Sequence, residues 1–270
     1  MLPMTPAAPA ARVFKAFDQH RARWVKQVTK LAVARLRASY RAVAAAIRET
    51  DGSQTEVNIA ADTVLIADQA NWLKFYLRVY TTVGLDFASE VATGLEAILG
   101  KGAPLPAETK AESVTVAEWR ATITQYVEEN SSTKITKITE TTRTKIQGSL
   151  ADGFAAGADP YALASSVAAQ GGFQVGRGSV IARTETIGAS NLGSHTAAAS
   201  FQVPTIKRWL TTIDTRERPD HADANGQERE LDDPYEVGGS LLLFPGDSSF
   251  SAAAKQIIQC RCVSLYAPKK

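Results

Sequence analysis

Cysteine is scarce in this chain, with only two in 270 residues. Two thiols cannot build the disulfide framework of a small secreted scaffold. Long apolar runs are missing as well. None approaches the ~18 residues needed to cross a bilayer, so no membrane partner is expected. The opening stretch MLPMTPAAPAARVFKAF has no apolar block after a basic one, which speaks against a secretory leader. Nor is there an excess of one charge. Thirty Lys and Arg oppose 28 Asp and Glu, a net +2, which argues against a wholly basic nucleic-acid binder. What is present is an apolar share of 44%, too high for a wholly disordered chain. The length allows one large domain or two smaller ones.

The near-neutral total hides a strong segregation. Residues 12–48 hold ten basic residues, among them Arg21, Arg23, Lys26, Lys30, Arg35, Arg37 and Arg41, against Asp18 alone. Residues 49–100 hold eight acids against Lys74 and Arg78. One reading is that two helices pack together and neutralise each other. The other is that the basic helix faces an external polyanion, such as DNA or an acidic protein surface.

Residues 1–11 are rich in Pro and Ala and read as a flexible N-terminus. Residues 12–48 have no Gly or Pro and read as one amphipathic helix, stopped at Asp51-Gly52. A second helix is expected over 58–99, with Gly84 and Gly94 as candidate interruptions. Together these make a helical N-terminal region, 12–100. The segment 101–112, with Gly-Ala-Pro-Leu-Pro, reads as a linker. Helices follow over 113–130, with Thr115 and Glu118 as a capping box, and over 131–150, where isoleucines keep helical spacing in a Thr-rich stretch. Another is expected over 160–170, opened by Pro160, and one more over 179–200. The glycine-rich run 171–178 lacks the Gly-Lys-Ser/Thr end of a phosphate loop and reads as a turn. Past Pro204 the pattern changes. TIKRWLTTI (205–213) reads as a strand, 214–240 as loop, 241–244 as a strand, 251–258 as a short helix and 262–266 as a last strand. The fold class is therefore α+β, with a mainly helical N-terminal two thirds and a small C-terminal α+β part of short strands.

Three metal-capable side chains fall in the last quarter: His221, Cys260 and Cys262. Cysteines two apart cannot readily close a relaxed disulfide, but they can share a metal if the backbone bends. With Asp214 as an oxygen donor they make a chemically reasonable tetrahedral zinc set. The alternative is that both thiols act as small buried hydrophobes while His221 bonds Asp214 or Asp223. Trp209 reads as core. Ser194-His195 has no nucleophile-elbow context, so a hydrolase triad is not supported.

An ordered series in the C-terminal half resembles the phage Mu protein F-like family of minor head proteins, or head morphogenesis proteins. The series runs through Ile181-Ala-Arg-Thr-Glu-Thr186, with Arg183 and Glu185, and then Asn191. It continues with Lys207-Arg-Trp-Leu210, Asp214-Thr-Arg-Glu-Arg218, His221 and Asn225-Gly226-Gln227. It ends with Asp233-Pro-Tyr-Glu-Val237, Leu243-Phe-Pro-Gly-Asp247 and Gln259-Cys-Arg261-Cys262. The resemblance makes 113–270 a Mu F-like minor head domain. It implies a virion component inside a tailed-phage head, near the portal vertex, with no enzymatic activity. Its expected partners are the portal protein, a capsid or scaffold protein, and packaged double-stranded DNA, with roles in head assembly, packaging and ejection. Some relatives look zinc-binding, with a C-x-x-C at the positions of Arg218 and His221 and a His at the position of Ile257. This chain keeps only His221, Cys260 and Cys262 of that set, and Arg218, Asp214 and His221 then form a candidate polar network holding the loop. Some relatives carry a toxin domain after this module, for which the short tail past Cys262 leaves no room. The alternative function class is a metal-dependent nuclease or hydrolase built on Asp214, His221 and Asp223.

Overall fold

The computed structural model describes residues 10–99, 114–201, 203–212 and 214–269. The expected linker 101–112 lies outside them, as do residues 1–9 and Ile213. Six long helices come first: α1 (Ala10–Arg48), α2 (Gln54–Leu99), α3 (Val114–Asn130), α4 (Ser132–Ala155), α5 (Pro160–Gly172) and α6 (Val175–Ser200). Short elements follow: β1 (Thr205–Leu210), α7 (Pro219–Asp223), β2 (Glu228–Glu230), β3 (Tyr235–Val237), β4 (Ser240–Leu242), α8 (Ala254–Ile257) and β5 (Val263–Pro268). The class is α+β, as composition and pattern implied.

The residues group into two compact units. One comprises the described parts of Met1–Lys26, Leu77–Asn130 and Arg183–Lys270; the other comprises Gln27–Tyr76 and Ser131–Ala182. The boundaries fall inside α1, α2 and α6, so each of these helices contributes to both.

In the unit of Gln27–Tyr76 and Ser131–Ala182, Tyr40, Val43, Ile47, Val57, Leu65, Ile146, Leu150, Leu163 and Val167 form a buried apolar cluster. The turn between α1 and α2 carries a true helix start. The Ser53 hydroxyl accepts from the Glu56 amide at 3.3 Å, while the Glu56 carboxylate accepts from the Asp51 amide at 3.2 Å. The capping box expected at Thr115–Glu118 is not one, because Thr115 already lies inside α3. Threonines of α4 return their hydroxyls to carbonyls one turn back, as Thr142 does to Ile138 at 2.8 Å. Pro160 opens α5, with Asp159 accepting from the Ala162 amide at 2.7 Å. The glycine run 171–178 is not the turn expected from its composition. It forms the end of α5 and the start of α6, joined by Phe173 and Gln174. Its glycines serve packing: a Cβ at Gly178 would come within 2.5 Å of the Val33 side chain, and one at Gly171 within 3.0 Å of Tyr40.

In the other unit, α2 runs unbroken through Gly84 and Gly94. At Gly84 it passes α6 so closely that a Cβ on Gly193 would sit 1.9 Å from the Gly84 carbonyl oxygen. The strands order β2-β1-β5, all antiparallel, with β1 central, and β3 and β4 pair as a hairpin. The stretch 214–240, read as loop, also holds α7, β2 and β3. Along β1, Thr205, Lys207 and Trp209 face inward. Lys207 is fully buried and donates to the Leu243 carbonyl at 2.8 Å. Trp209, Tyr235, Val237, Leu242, Ile187, Cys260 and Cys262 form the core against which the sheet closes.

Candidate metal centre

The chain reaches this site through a bend. Gln259 takes a left-handed backbone, φ 55°, uncommon for a residue with a side chain. Its amide donates to the Thr184 hydroxyl at 3.0 Å, which fixes the bend on α6. Cys260-Arg261-Cys262 then turns into β5, and the Cys262 amide lies 3.4 Å from Cys260 Sγ. The backbone of this turn is clamped from behind. Arg21 Nη1 donates to the carbonyls of Arg261 and Cys262 at 3.3 and 3.2 Å, and Arg21 Nε donates to the Ser190 hydroxyl. Asn191, wholly buried, donates to the carbonyls of Cys262, Pro245 and Ile187 and accepts from the Ser264 amide. Every polar atom of the Asn191 amide group is thus engaged.

His221 enters from α7. Its Nδ1 lies 3.3 Å from Cys262 Sγ and 3.7 Å from Cys260 Sγ. All three side chains are buried, and one ligand atom from each falls within 4.8 Å of the others. The opposite ring nitrogen, Nε2, sits 3.0 Å from the side-chain oxygen Oε1 of Gln256. Gln256 Nε2 in turn donates to Asp220, which leaves the Gln256 oxygen facing the ring. This relay assigns the ring proton to Nε2 and aims the Nδ1 lone pair at the two sulfurs. A hydrogen bond with Cys262 holds the Cys260 thiol well below its ordinary range, against the burial that raises it, with His221 adding to the lowering. Burial pushes Cys262 well up. For His221, burial lowers the pKa, but the hydrogen bond and charge of Cys260 outweigh it and the net shift is upward. A metal bound here would require both thiols to lose their protons, which the lowered Cys260 favours and the raised Cys262 opposes.

The donor set fits zinc on geometry. Zinc bonds of about 2.3 Å to sulfur and 2.0–2.1 Å to nitrogen in a tetrahedron place sulfur and nitrogen about 3.5–3.6 Å apart. The two nitrogen–sulfur distances bracket that value. Asp214, the oxygen donor expected from sequence, is held elsewhere. Both its oxygens accept from Arg261, at 2.6 and 2.7 Å, and this pairing keeps its carboxyl far below the usual range. Arg218 donates to the Ile258 carbonyl and so pins the loop to the segment before Cys260. The expected network of Arg218, Asp214 and His221 is therefore two separate ties, neither made to His221. Thr211, Glu217 and Gln256 border the cluster; of these only Glu217 falls in the residue series that carries the family resemblance.

The other expected residues are placed as follows. Trp209 packs edge-on to His221 and Tyr235. Gly226, at φ +83°, donates its amide to the Trp209 carbonyl at 2.8 Å. Glu185 is buried and accepts from the Tyr80 hydroxyl at 2.9 Å, while exposed Arg183 donates to Gln259. Of the basic residues of α1, Arg21 is buried and belongs to the turn just described, so it cannot meet a polyanion. Arg35 is half-buried and pairs with Asp68 of α2. Arg23, Lys26, Lys30, Arg37 and Arg41 are exposed.

No helix of the described residues is long and apolar enough to cross a membrane. No curated protein matches the chain, and no solved structure does. A family model does: that of Phage Mu protein F like protein matches residues 144–265, a little under half of the chain. The match takes in α6, β1 to β4, the first half of β5, Asn191, His221 and both cysteines. Over residues 144–265 the chain is similar to the phage Mu protein F-like family, a family of phage head morphogenesis.

Proposed function

We propose that this protein is a minor capsid component of a tailed-phage head, seated inside the head at the portal vertex. Its work is assembly and binding rather than turnover. The observation that carries this reading is the family match across the turn, sheet and helix that build the candidate metal centre. The centre itself we read as structural zinc. His221, Cys260 and Cys262 would hold the ion, and its chemistry there is cross-linking of α7 to the start of β5. Burial of all three ligands favours this over a catalytic site, which needs an open position reachable by substrate.

The partners follow from surface chemistry. Arg23, Lys26, Lys30, Arg37, Arg41 and Arg48 are exposed and spaced three, four, seven, four and seven residues apart. That spacing keeps them on one face of α1. Such a face suits phosphates of packaged double-stranded DNA without choice of sequence. The portal protein and a capsid or scaffold protein are the proposed protein partners. The test is recovery of the protein in purified heads and its co-purification with the portal protein of the same phage. Absence from heads overturns the reading. A salt series of DNA binding checks the DNA contact separately: each lost phosphate contact lowers the slope of log K against log salt by about 0.9, and a flat response removes DNA from the partners.

A further inference from the structure

Either ring nitrogen of an imidazole can bind a metal, and its neighbours decide which one is left free to do so. For His221 the decision falls on the side of the ring away from the sulfurs. There Nε2 lies 3.0 Å from Oε1 of Gln256, whose side chain is wholly buried. An amide group has an acceptor at one end and donors at the other, so alone it could turn either way. Asp220, the residue before His221, fixes its direction. Asp220 Oδ2 accepts from Gln256 Nε2 and, at 3.2 Å, from Lys255 Nζ. An ionised carboxylate only accepts, so it takes the NH₂ end and turns Oε1 toward the ring. On the sulfur side, Glu217 Oε1 stays 3.7 Å from Nδ1, beyond hydrogen-bond length. The Asp220–Gln256 pair needs space, and the turn between β3 and β4 leaves it. Gly238 sits there at φ +53°, and a Cβ on it would fall 2.2 Å from Asp220 Oδ2 and 2.3 Å from Gln256 Nε2. Both atoms are side-chain ends, so an added methyl would push this pair aside without striking backbone. The neighbouring Gly239, at φ +76°, would have nothing within 4 Å of its Cβ.

We propose that Asp220, Gln256 and Gly238 are positioning residues of the metal centre, which keep a proton on Nε2 so that His221 binds its metal through Nδ1. The proposal rests on the reading of His221, Cys260 and Cys262 as that centre. None of the three positioning residues is itself a donor to the ion. Gln256 accepts the Nε2 proton, which fixes the ring plane and makes Nδ1 a better donor. Asp220 sets the direction of Gln256. Gly238 acts by having no side chain, and through it the β3–β4 hairpin reaches a centre to which it gives no ligand.

The full chain, reduced, metal-free and ¹⁵N-labelled at its three histidines, is titrated with Zn²⁺ and followed by NMR. A His221→Asn chain assigns the His221 signals. Nε2 is expected to carry a proton with and without Zn²⁺, while the Nδ1 signal moves on binding. A proton lost from Nε2, with Zn²⁺ moving that signal instead, overturns the proposal. Affinity gives a second readout. Gln256→Met and Gly238→Ala should each weaken Zn²⁺ binding roughly tenfold or more. Gly239→Ala imposes a similar left-handed backbone without the collision and should bind like wild type. Gln256→Glu sets two carboxylates face to face and should also weaken binding. Adding Asp220→Asn to it should rescue binding, because the new amide donates to the new carboxylate and the ring again meets an acceptor. If Gly238→Ala does not fold, Gln256→Met and the rescue pair carry the test. Gly238→Ala and Gln256→Met with wild-type affinity and histidine signals overturn the positioning role while leaving the centre standing. No Zn²⁺ uptake by folded wild type overturns the centre, and the proposal with it.

Discussion

Replacing Gly193 by alanine isolates a close helix crossing, that of α2 and α6. Helix propensity alone makes Gly→Ala favourable by about 1 kcal/mol in a helix interior. Packing opposes it. The new Cβ would lie 1.9 Å from the Gly84 carbonyl oxygen, 2.5 Å from its carbon and 2.6 Å from its Cα. All three are backbone atoms, so no side chain can rotate aside. Ordinary contact begins near 3.4 Å, so α2 and α6 must part there by about 1.5 Å. Val83, Phe87 and Leu192 flank the crossing and are buried. If each loses a quarter of about 50 atom contacts worth about 0.1 kcal/mol apiece, the loss is near 4 kcal/mol. Less the gain in propensity, the net cost is about 3 kcal/mol. Gly148, in α4, is the matched control, since a Cβ there meets nothing within 4 Å. Gly148→Ala should stabilise by up to about 1 kcal/mol. Urea unfolding followed by far-UV circular dichroism measures both. A Gly193→Ala protein as stable as Gly148→Ala refutes the close crossing.

Other outcomes follow from single side chains. Saturating zinc at about a hundredfold over its Kd should add about 2.7 kcal/mol of stability; calorimetry with and without chelator should show this in wild type and not in Cys260→Ser. His195 is held neutral: burial, with Lys207 adding, lowers its pKa from 6.5 to about 3. The unfolded chain therefore takes up this proton first, and stability falls as pH drops from about 6.5 toward 3. In urea unfolding across that window, His195→Phe should lose several kcal/mol less than wild type; parallel curves would refute the buried neutral ring. Arg21→Met leaves the Arg261 and Cys262 carbonyls short of a donor and should cost about 3 kcal/mol, whereas Arg41→Ala on the exposed face should stay within about 0.5 kcal/mol. Denaturation midpoints separate the two.

What could be read from the sequence was what rests on local pattern. The absence of Gly and Pro from 12–48 announces α1, and Pro160 announces α5. The pairing of His221 with Cys260 and Cys262 was legible as chemistry, because few other side chains in the chain bind soft metals. The failures share one cause, which is that tertiary neighbours reassign a residue. Gly178 looked like turn material but lies in α6, because Val33 leaves no room for a Cβ. Asp214 looked like a ligand but meets Arg261, a residue that sequence does not bring near it. Arg21 was grouped with the surface arginines, although it faces the carbonyls of a turn on β5. Lys207 sits inward at a strand position that alternation assigns to an apolar residue, where the Leu243 carbonyl, the Tyr235 ring and the charges of Asp232 and Asp247 make that tolerable. Gln256 carries no motif, since its role arises from where α8 sets it beside the His221 ring.

The hydrogen bond from Arg21 to the Cys262 carbonyl spans 241 residues of sequence, and this bears on how the protein is made. A chain emerging from the ribosome presents α1 first, yet the two carbonyls that accept from buried Arg21 are synthesised almost last. The segments of Gln27–Tyr76 and Ser131–Ala182 can meet while synthesis continues. The unit that begins before Lys26 cannot close until β5 has been released. A premature stop a few codons before Cys260 would therefore not trim this unit but leave it unassembled. The nascent chain would meanwhile leave the inner face of β1 uncovered until β5 arrives to pair with it.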